Sequence, residues 1–231
     1  VKNYCEKHDI THHVLTQPKL RIKPDVFTTN RSKESYEKYG GYLPIYEKEN
    51  AFEYIDDFDQ IAIIDADIYI RPNARNIFDQ MNCKCAFGAV CEREMDIQDW
   101  YKGKIINYSK MQYGLLHSNT MDFKPNELGF EFFNMGMIVI NSQIFKPYLN
   151  GQTPRQFLER MEFKDFVDGQ GAWKWSTDQT LLNYFLKKYS VPTKHINPTF
   201  NGLFTAVNNI KECDFVHFFL KDKLPNKGEN V

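Results

Sequence analysis

The sequence lacks the features that would place it in several common classes of protein. It contains no apolar run approaching the ~20 residues of a membrane span, and no signal-peptide pattern opens it. Its 29 Lys and Arg residues nearly balance its 30 Asp and Glu residues, which leaves a formal net charge of −1. Because such a chain presents no basic field to nucleic acid or to an anionic membrane, we expect neither a nucleic-acid partner nor a membrane span.

Cysteine is scarce, and its spacing excludes the common cysteine-based zinc motifs. The number of cysteines is odd and no Cys-x-x-Cys pair occurs; they are Cys5, Cys83, Cys85, Cys91 and Cys213. Cys83 and Cys85 alternate along a predicted strand, so we expect them to be small core residues. Reduced thiols in an intracellular compartment are the simplest interpretation, which favours a cytoplasmic location. A Golgi-lumenal or membrane-peripheral location stays open.

Length and composition predict one ordinary globular domain. The chain has 231 residues, of which 42% are hydrophobic and 26% charged. Residues 1–8 have the pattern of a helix end and residues 10–16 that of a strand, whereas an α/β domain normally begins with a strand. We therefore predict a single domain, residues 1–231, whose first strand lies upstream of Val1.

Two aspartates at the end of an apolar run are the strongest functional signal. The apolar stretch 61–64 is followed by Asp65, Ala66 and Asp67, and the chain then becomes apolar again. A short apolar run is typical of a strand buried on both faces of a parallel sheet. Residues two apart on a strand face the same way, so the carboxylates of Asp65 and Asp67 repel unless a divalent cation lies between them. In the alternative, one aspartate caps the turn that follows and the other is solvated.

Other elements follow from periodicity and capping signals. We predict helices at residues 44–56 and 154–161 and strands at residues 86–91, 132–141 and 215–219. Ser176 and Gln179 fit a capping box that opens a helix reaching about Tyr189. Residues 94–125 are polar, mixed and unassigned. The predicted fold is a Rossmann-like α/β domain with a mixed, mainly parallel sheet flanked by helices.

Six motifs, in order along the chain, resemble those of one enzyme family. They are Asp65-Ala66-Asp67, the preceding helix with Lys48, Phe133-Asn134-Met135-Gly136, Thr177-Asp178-Gln179, Asn197-Pro198-Thr199-Phe200-Asn201, and His217-x-x-Leu220-x-x-Lys223-x-Pro225. Together they resemble type-A glycosyltransferases, most closely family 8, which includes glycogenin and bacterial lipopolysaccharide galactosyltransferases. The resemblance implies the type-A fold and binding of a nucleotide-sugar donor.

The resemblance also implies roles for individual residues. The Asp-x-Asp motif of the family holds manganese against the donor diphosphate, so it implies that Asp65, Asp67 and His217 are the metal ligands here. It implies donor contacts and catalytic residues as well. The implied donor contacts are Lys48, Asp65, Ala66, Asp67 and Lys223, and the implied catalytic residues are Asp178 and Asn134. The segment 197–201 is implied to line the acceptor side. A shell of two carboxylates and an imidazole suits Mn²⁺ or Mg²⁺.

Simpler interpretations remain for several of these residues. Asn134 and Gly136 are also typical of a β-bulge, and Asp178 is favoured at any helix N-terminus. Lys48 could be a solvated helix lysine. Leu220 stands where the family has a glycine, so the backbone there approaches a phosphate less freely.

The sequence thus predicts a metal-dependent hexosyltransferase. It would move a hexose from a nucleotide sugar, a UDP-hexose, to a glycan or another hydroxyl acceptor. The resemblance implies retention of configuration, and the matching motifs offer Asp178 but no second carboxylate as a dedicated base. The alternatives are a nucleotidyltransferase that makes nucleotide sugars, which also uses paired aspartates and Mg²⁺, and a degenerate relative that only binds a glycan.

Overall fold

The computed structural model describes residues 1–20, 33, 37–38, 44–117, 125–174 and 176–219. The strands are β1 (Gln60–Ile64), β2 (Ile68–Ile70), β3 (Phe87–Cys91), β4 (Phe133–Asn141), β5 (Thr193–His195), β6 (Gly202–Leu203) and β7 (Phe215–His217). The α-helices are α1 (Lys2–Lys7), α2 (Asp99–His117), α3 (Ser142–Leu149), α4 (Pro154–Leu158), α5 (Lys164–Asp168) and α6 (Asp178–Lys188). The 3-10 helices include Pro44–Tyr54, Ile77–Met81, Glu92–Glu94 and Pro198–Asn201.

The described strands form two mixed sheets. One has the order β1-β4-β3-β5 and the other β2-β7-β6. The α/β class with mixed sheets and flanking helices is therefore confirmed. The expectation that parallel pairs dominate is wrong for the described strands, because β1–β4, β3–β4 and β2–β7 are antiparallel and only β3–β5 and β6–β7 are parallel. An apolar run reports burial, but it carries no information about the direction of the neighbouring strand.

Strand β4 separates two hydrophobic cores. Ile138 and Ile140 pack with Phe145 and Phe185 on one face, while Val139 packs on the other. The alternation breaks near Gly136, where the pairing of β4 with β3 shifts register. The predicted bulge is thus real, and it lies where bulges commonly redirect side chains.

The predicted helix at residues 176–189 exists, with a different cap. Leu181, Leu182, Phe185 and Leu186 form its buried face. The Thr177 side chain accepts the backbone N–H of Gln179. The predicted capping box is wrong, because the Ser176 hydroxyl instead donates to the carbonyl of Phe166.

Two further expectations are corrected. Residues 10–16 form no strand, and Val14 and Leu15 are exposed. No described strand pairs with this segment, and without a partner its apolar pattern is not sufficient to form a strand. Cys83 and Cys85 were expected to be reduced, but they form a disulfide with a Cα–Cα distance of 5.3 Å, which suits a bridge. No described helix is both long and apolar enough to cross a membrane.

Candidate active site

A cleft of about 980 Å³ is bordered by the end of β1, by β4 and β7, by α2 and by the start of α6. Seven of the predicted site residues line it: Lys48, Asp65, Ala66, Asp67, Asn134, Asp178 and His217. The eighth, Lys223, lies outside the described residues. Residues separated by more than 160 positions in the chain therefore meet in one cleft.

Strand pairing brings Asp65, Asp67 and His217 together. The backbone N–H of Asp65 donates to Gly136 O at 2.8 Å, which fixes the end of β1 against β4. Pairing of β2 with β7 places Ile68 opposite His217, and the carbonyl of Asp67 accepts the backbone N–H of Phe218 at 2.9 Å. One ligand atom from each of the three side chains lies within 4.8 Å of the others.

Asp67 and His217 face each other at the base of this group. His217 Nε2 lies 3.4 Å from Asp67 Oδ1, which is buried and accepts no hydrogen bond from any described residue. A buried carboxylate oxygen without a donor fits a position that a cation fills.

A series of hydrogen bonds sets the tautomer of His217. The backbone N–H of Gly136 donates to Asn134 Oδ1 at 2.9 Å, so this atom is the amide oxygen. Asn201 Nδ2 donates to the same oxygen at 2.8 Å, which turns Asn201 Oδ1 toward His217 Nδ1 at 2.9 Å. Because Oδ1 only accepts, Nδ1 carries the proton. In the neutral ring, Nε2 then presents its lone pair to the space beside Asp67.

Lys48 joins two of the carboxylates in the cleft. Its ammonium donates to Asp65 Oδ1 at 2.9 Å and to Met135 O at 2.8 Å. It also lies 2.9 Å from Asp178 Oδ2, in an ion pair whose angles do not suit a hydrogen bond. Burial lowers the pKa of Lys48, but Asp178 and Asp65 raise it more. The interpretation of Lys48 as a solvated helix lysine is therefore wrong.

Asp178 is a buried carboxylate at the start of α6. Burial raises its pKa, while Lys48 and the neighbouring N-terminal backbone of α6 oppose the rise. The helix N-terminus and the ammonium of Lys48 both stabilise a negative charge at this position. Asp178 is therefore both a favourable N-terminal residue and part of the cleft, so the two interpretations from the sequence are compatible.

Glu92 is a site residue that the motifs missed. It follows β3, is buried, and lines the cleft. Its Oε1 accepts from Asn134 Nδ2 at 2.7 Å and from Gln179 Nε2 at 3.1 Å. Burial raises its pKa, and these two amides oppose the rise. An acidic residue directly after the apolar strand 87–91 was the available signal, as it was for Asp65.

The unassigned region 94–125 contains α2, which forms one wall of the cleft. Tyr101, Lys104, Ile105 and Tyr108 line that wall. Tyr101, Ile105 and Tyr108 recur at helical spacing, so periodicity in this segment was the missed signal. The segment 197–201 was expected to line the acceptor side, yet no residue of it borders the described cleft.

No protein-family model matches the sequence, and no curated protein matches it. Among solved structures, mouse xyloside xylosyltransferase 1 is 12% identical, with a TM-score of 0.47, over 80% of this chain and 69% of that one. The bifunctional glycosyltransferase WbbM is 14% identical, with a TM-score of 0.45, over 77% and 31%. The galactosyltransferase LgtC, in complex with donor and acceptor sugar analogues, is 19% identical, with a TM-score of 0.43, over 76% and 58%. At these values the similarity carries no argument about activity, and the chain spans well under two thirds of WbbM and LgtC.

Proposed function

We propose that the chain is a metal-dependent glycosyltransferase of the type-A fold. It would transfer a hexose from a UDP-sugar to a glycan or another hydroxyl acceptor. The observation that carries the proposal is the convergence of Asp65, Asp67 and His217 in one cleft, with Asp178 and Asn134 beside them. Three ligands of this kind from two sheets, together with an unsatisfied carboxylate oxygen, are typical of a site for a hard divalent cation.

Asp65, Asp67 and His217 would hold Mn²⁺ or Mg²⁺. When bound, the ion would neutralise the charge that develops on a departing diphosphate. The chain's own residues prepare this position. Lys48 restrains the carboxylate of Asp65, and the amide of Asn201 holds the ring of His217. We assign Lys223 to the diphosphate as well, as the resemblance implies.

The polar groups deeper in the cleft suit a sugar. Asp178, Glu92, Asn134 and Gln179 all border the cleft and are linked to one another or to Lys48. Groups held in this way are oriented before a substrate arrives, which favours precise hydrogen bonding to hydroxyls. The partly buried rings of Tyr101 and Phe219 border the same cleft and add apolar contact area of the kind that sugar rings use.

The carboxylates also favour retention of configuration. Beyond the metal pair, the carboxylates that border the described cleft are Glu92 and Asp178. Both are buried and held by neighbouring groups, so neither resembles the accessible base that inverting transfer needs. We infer that the leaving diphosphate itself assists the acceptor from the same face, as the resemblance implies, and that an α-linked donor gives an α-linked product.

Turnover of a panel of UDP-hexoses with Mn²⁺ tests the proposal. Release of UDP, together with proton NMR of the anomeric coupling in the product, identifies both reaction and stereochemistry. The Asp67→Ala variant should lose turnover, while Asp56→Ala, which removes an exposed carboxylate bound to Lys146, should keep it. Pyrophosphate release from a nucleoside triphosphate and a sugar phosphate would instead identify a nucleotidyltransferase. Binding of a glycan with no turnover of any donor would identify a degenerate relative.

A further inference from the structure

A second group of metal-binding residues lies outside the cleft. Cys91 ends β3, Glu94 ends the 3-10 turn that follows, and His195 ends β5, which runs parallel to β3. One ligand atom from each lies within 4.8 Å of the other two. None of the three borders the cleft. The group is therefore separate from Asp65, Asp67 and His217.

The ring of His195 has the surroundings of a metal-binding histidine. Its Nδ1 lies 2.5 Å from Glu94 Oε1, on the side of the cluster, and its Nε2 lies 3.0 Å from Glu131 Oε1. Histidines that bind metal through one ring nitrogen almost always donate the other N–H to a carboxylate or carbonyl. Glu131 is itself bound by Lys187, with Arg93 nearby, so it is a permanent carboxylate acceptor for Nε2.

Cys91 supplies a sulfur at the inner side of the cluster. The residue is fully buried. Burial raises the pKa of this thiol to about 12, so it is protonated until a cation binds and displaces the proton. Cys91 and Glu94 are three positions apart, a spacing that puts two ligands on one tight turn, as in many zinc sites.

We propose that Cys91, Glu94 and His195 bind Zn²⁺, with water as the fourth ligand. A thiolate, a carboxylate and an imidazole are the ligand types that Zn²⁺ prefers. Tetrahedral coordination at about 2.0–2.3 Å from the ion separates ligand atoms by roughly 3–4 Å, within the span of this group.

The site would act on the cleft through the chain between its ligands. Glu92 lies between Cys91 and Glu94 in sequence. Its side chain borders the cleft, while the Cys91 thiol and the Glu94 carboxylate belong to the cluster. An ion bound by Cys91 and Glu94, which flank Glu92 in sequence, would fix the turn that positions the Glu92 carboxylate. The cluster is thus a positioning site, distinct from the one that meets the substrate.

Titration with Co²⁺ tests the site in the Asp67→Ala protein, where binding in the cleft is suppressed, with no reductant present, so that the Cys83–Cys85 disulfide stays intact. We expect about one equivalent of Co²⁺ to give a thiolate-to-cobalt charge-transfer band and tetrahedral d–d bands, which Zn²⁺ abolishes. The band should disappear in Cys91→Ser and should persist in Cys213→Ser, a matched control at another buried free cysteine. A band that survives Cys91→Ser, or no band in the folded protein, would overturn the proposal.

A second variant covers the case in which Cys91→Ser does not fold. His195 is partly exposed, so His195→Gln should fold and lose at least tenfold in Co²⁺ affinity. Unchanged affinity in this variant would also overturn the proposal. None of these measurements depends on glycosyl transfer. A failure of the zinc site would therefore leave the proposed function untouched, and a failure of the proposed function would leave the zinc site untouched.

Discussion

A Cβ atom placed on Gly136 would lie 2.3 Å from Cε1 of His217 and 2.7 Å from its Nδ1. The backbone of β4 therefore approaches the imidazole so closely that only glycine leaves room for it. Because Nδ1 of the ring is also hydrogen-bonded to Asn201, the ring cannot shift to make room without losing that bond. The position of this proposed metal ligand thus depends on the absence of a side chain on a strand 81 positions earlier.

The first prediction follows from this contact. Gly136→Ala should displace the His217 ring and weaken Mn²⁺-dependent UDP binding at least tenfold, as measured by calorimetry. Gly103→Ala is the matched control, since a Cβ there would meet no described heavy atom within 4 Å. It should leave binding unchanged and, as a Gly→Ala change inside a helix, stabilise by about 0.5–1 kcal/mol. Normal binding in Gly136→Ala would contradict the assignment of His217 as a ligand.

The second prediction concerns stability with ligands. Mn²⁺ and UDP together should stabilise the fold by about 2.7 kcal/mol at a hundred times the dissociation constant, and EDTA should abolish the gain. The reason is that the carboxylates of Asp65 and Asp67 repel until a cation binds. Thermal unfolding of the wild type and of Asp67→Ala provides the measurement. Equal stabilisation by UDP with and without metal would remove the case for a metal site here.

The third prediction concerns the buried ion pair. Lys48→Met should destabilise the fold by about 3–5 kcal/mol, because Asp178 then keeps a buried charge without its counter-ion. Adding Asp178→Asn should recover part of that loss, since an amide needs no counter-ion. Urea unfolding of the two single variants and the double variant measures the coupling. Losses that simply add would mean that the two residues do not stabilise each other.

The fourth prediction is a pH dependence away from the cleft. Arg75 contacts both oxygens of Asp214, and Thr199 donates to it as well. Burial raises the pKa of Asp214, but these donors lower it more, so the folded pKa lies below 3.8. This stabilisation is fully present above pH 3.8 and is lost as the pH falls through the lower folded value. Asp214→Asn should therefore destabilise the protein at pH 7 and much less near pH 2, as measured by urea unfolding; an equal loss at both would refute it.

Local signals were sufficient for much of the site. The apolar run 61–64 followed by Asp65 and Asp67 identified a strand end, and the buried spacing of α6 identified that helix with Asp178 at its start. Both depend on interactions within a few residues, which sequence periodicity records directly.

The parts that were missed depend on partners distant in sequence. Nothing near β1 indicates that β4 pairs with it in the antiparallel direction, and nothing near Asn201 indicates that its amide holds His217. The polar character of Lys48 suggested solvent, because its carboxylate partners lie 17 and 130 positions away. Glu92 and α2 were different, since the sequence carried a signal for each that went unused.

The orientation of the His217 ring depends on a series of neutral hydrogen-bonding groups. The series starts with the backbone N–H of Gly136. That donor fixes which way the Asn134 amide faces, and Asn134 in turn fixes the Asn201 amide. The protonated nitrogen of the ring is therefore chosen by hydrogen bonds between neutral groups and not by a neighbouring charge. In the neutral ring, a lone pair and a carboxylate oxygen then confront each other across 3.4 Å. Folding itself thus creates a local electrostatic conflict, and a cation bound at the proposed site would relieve it.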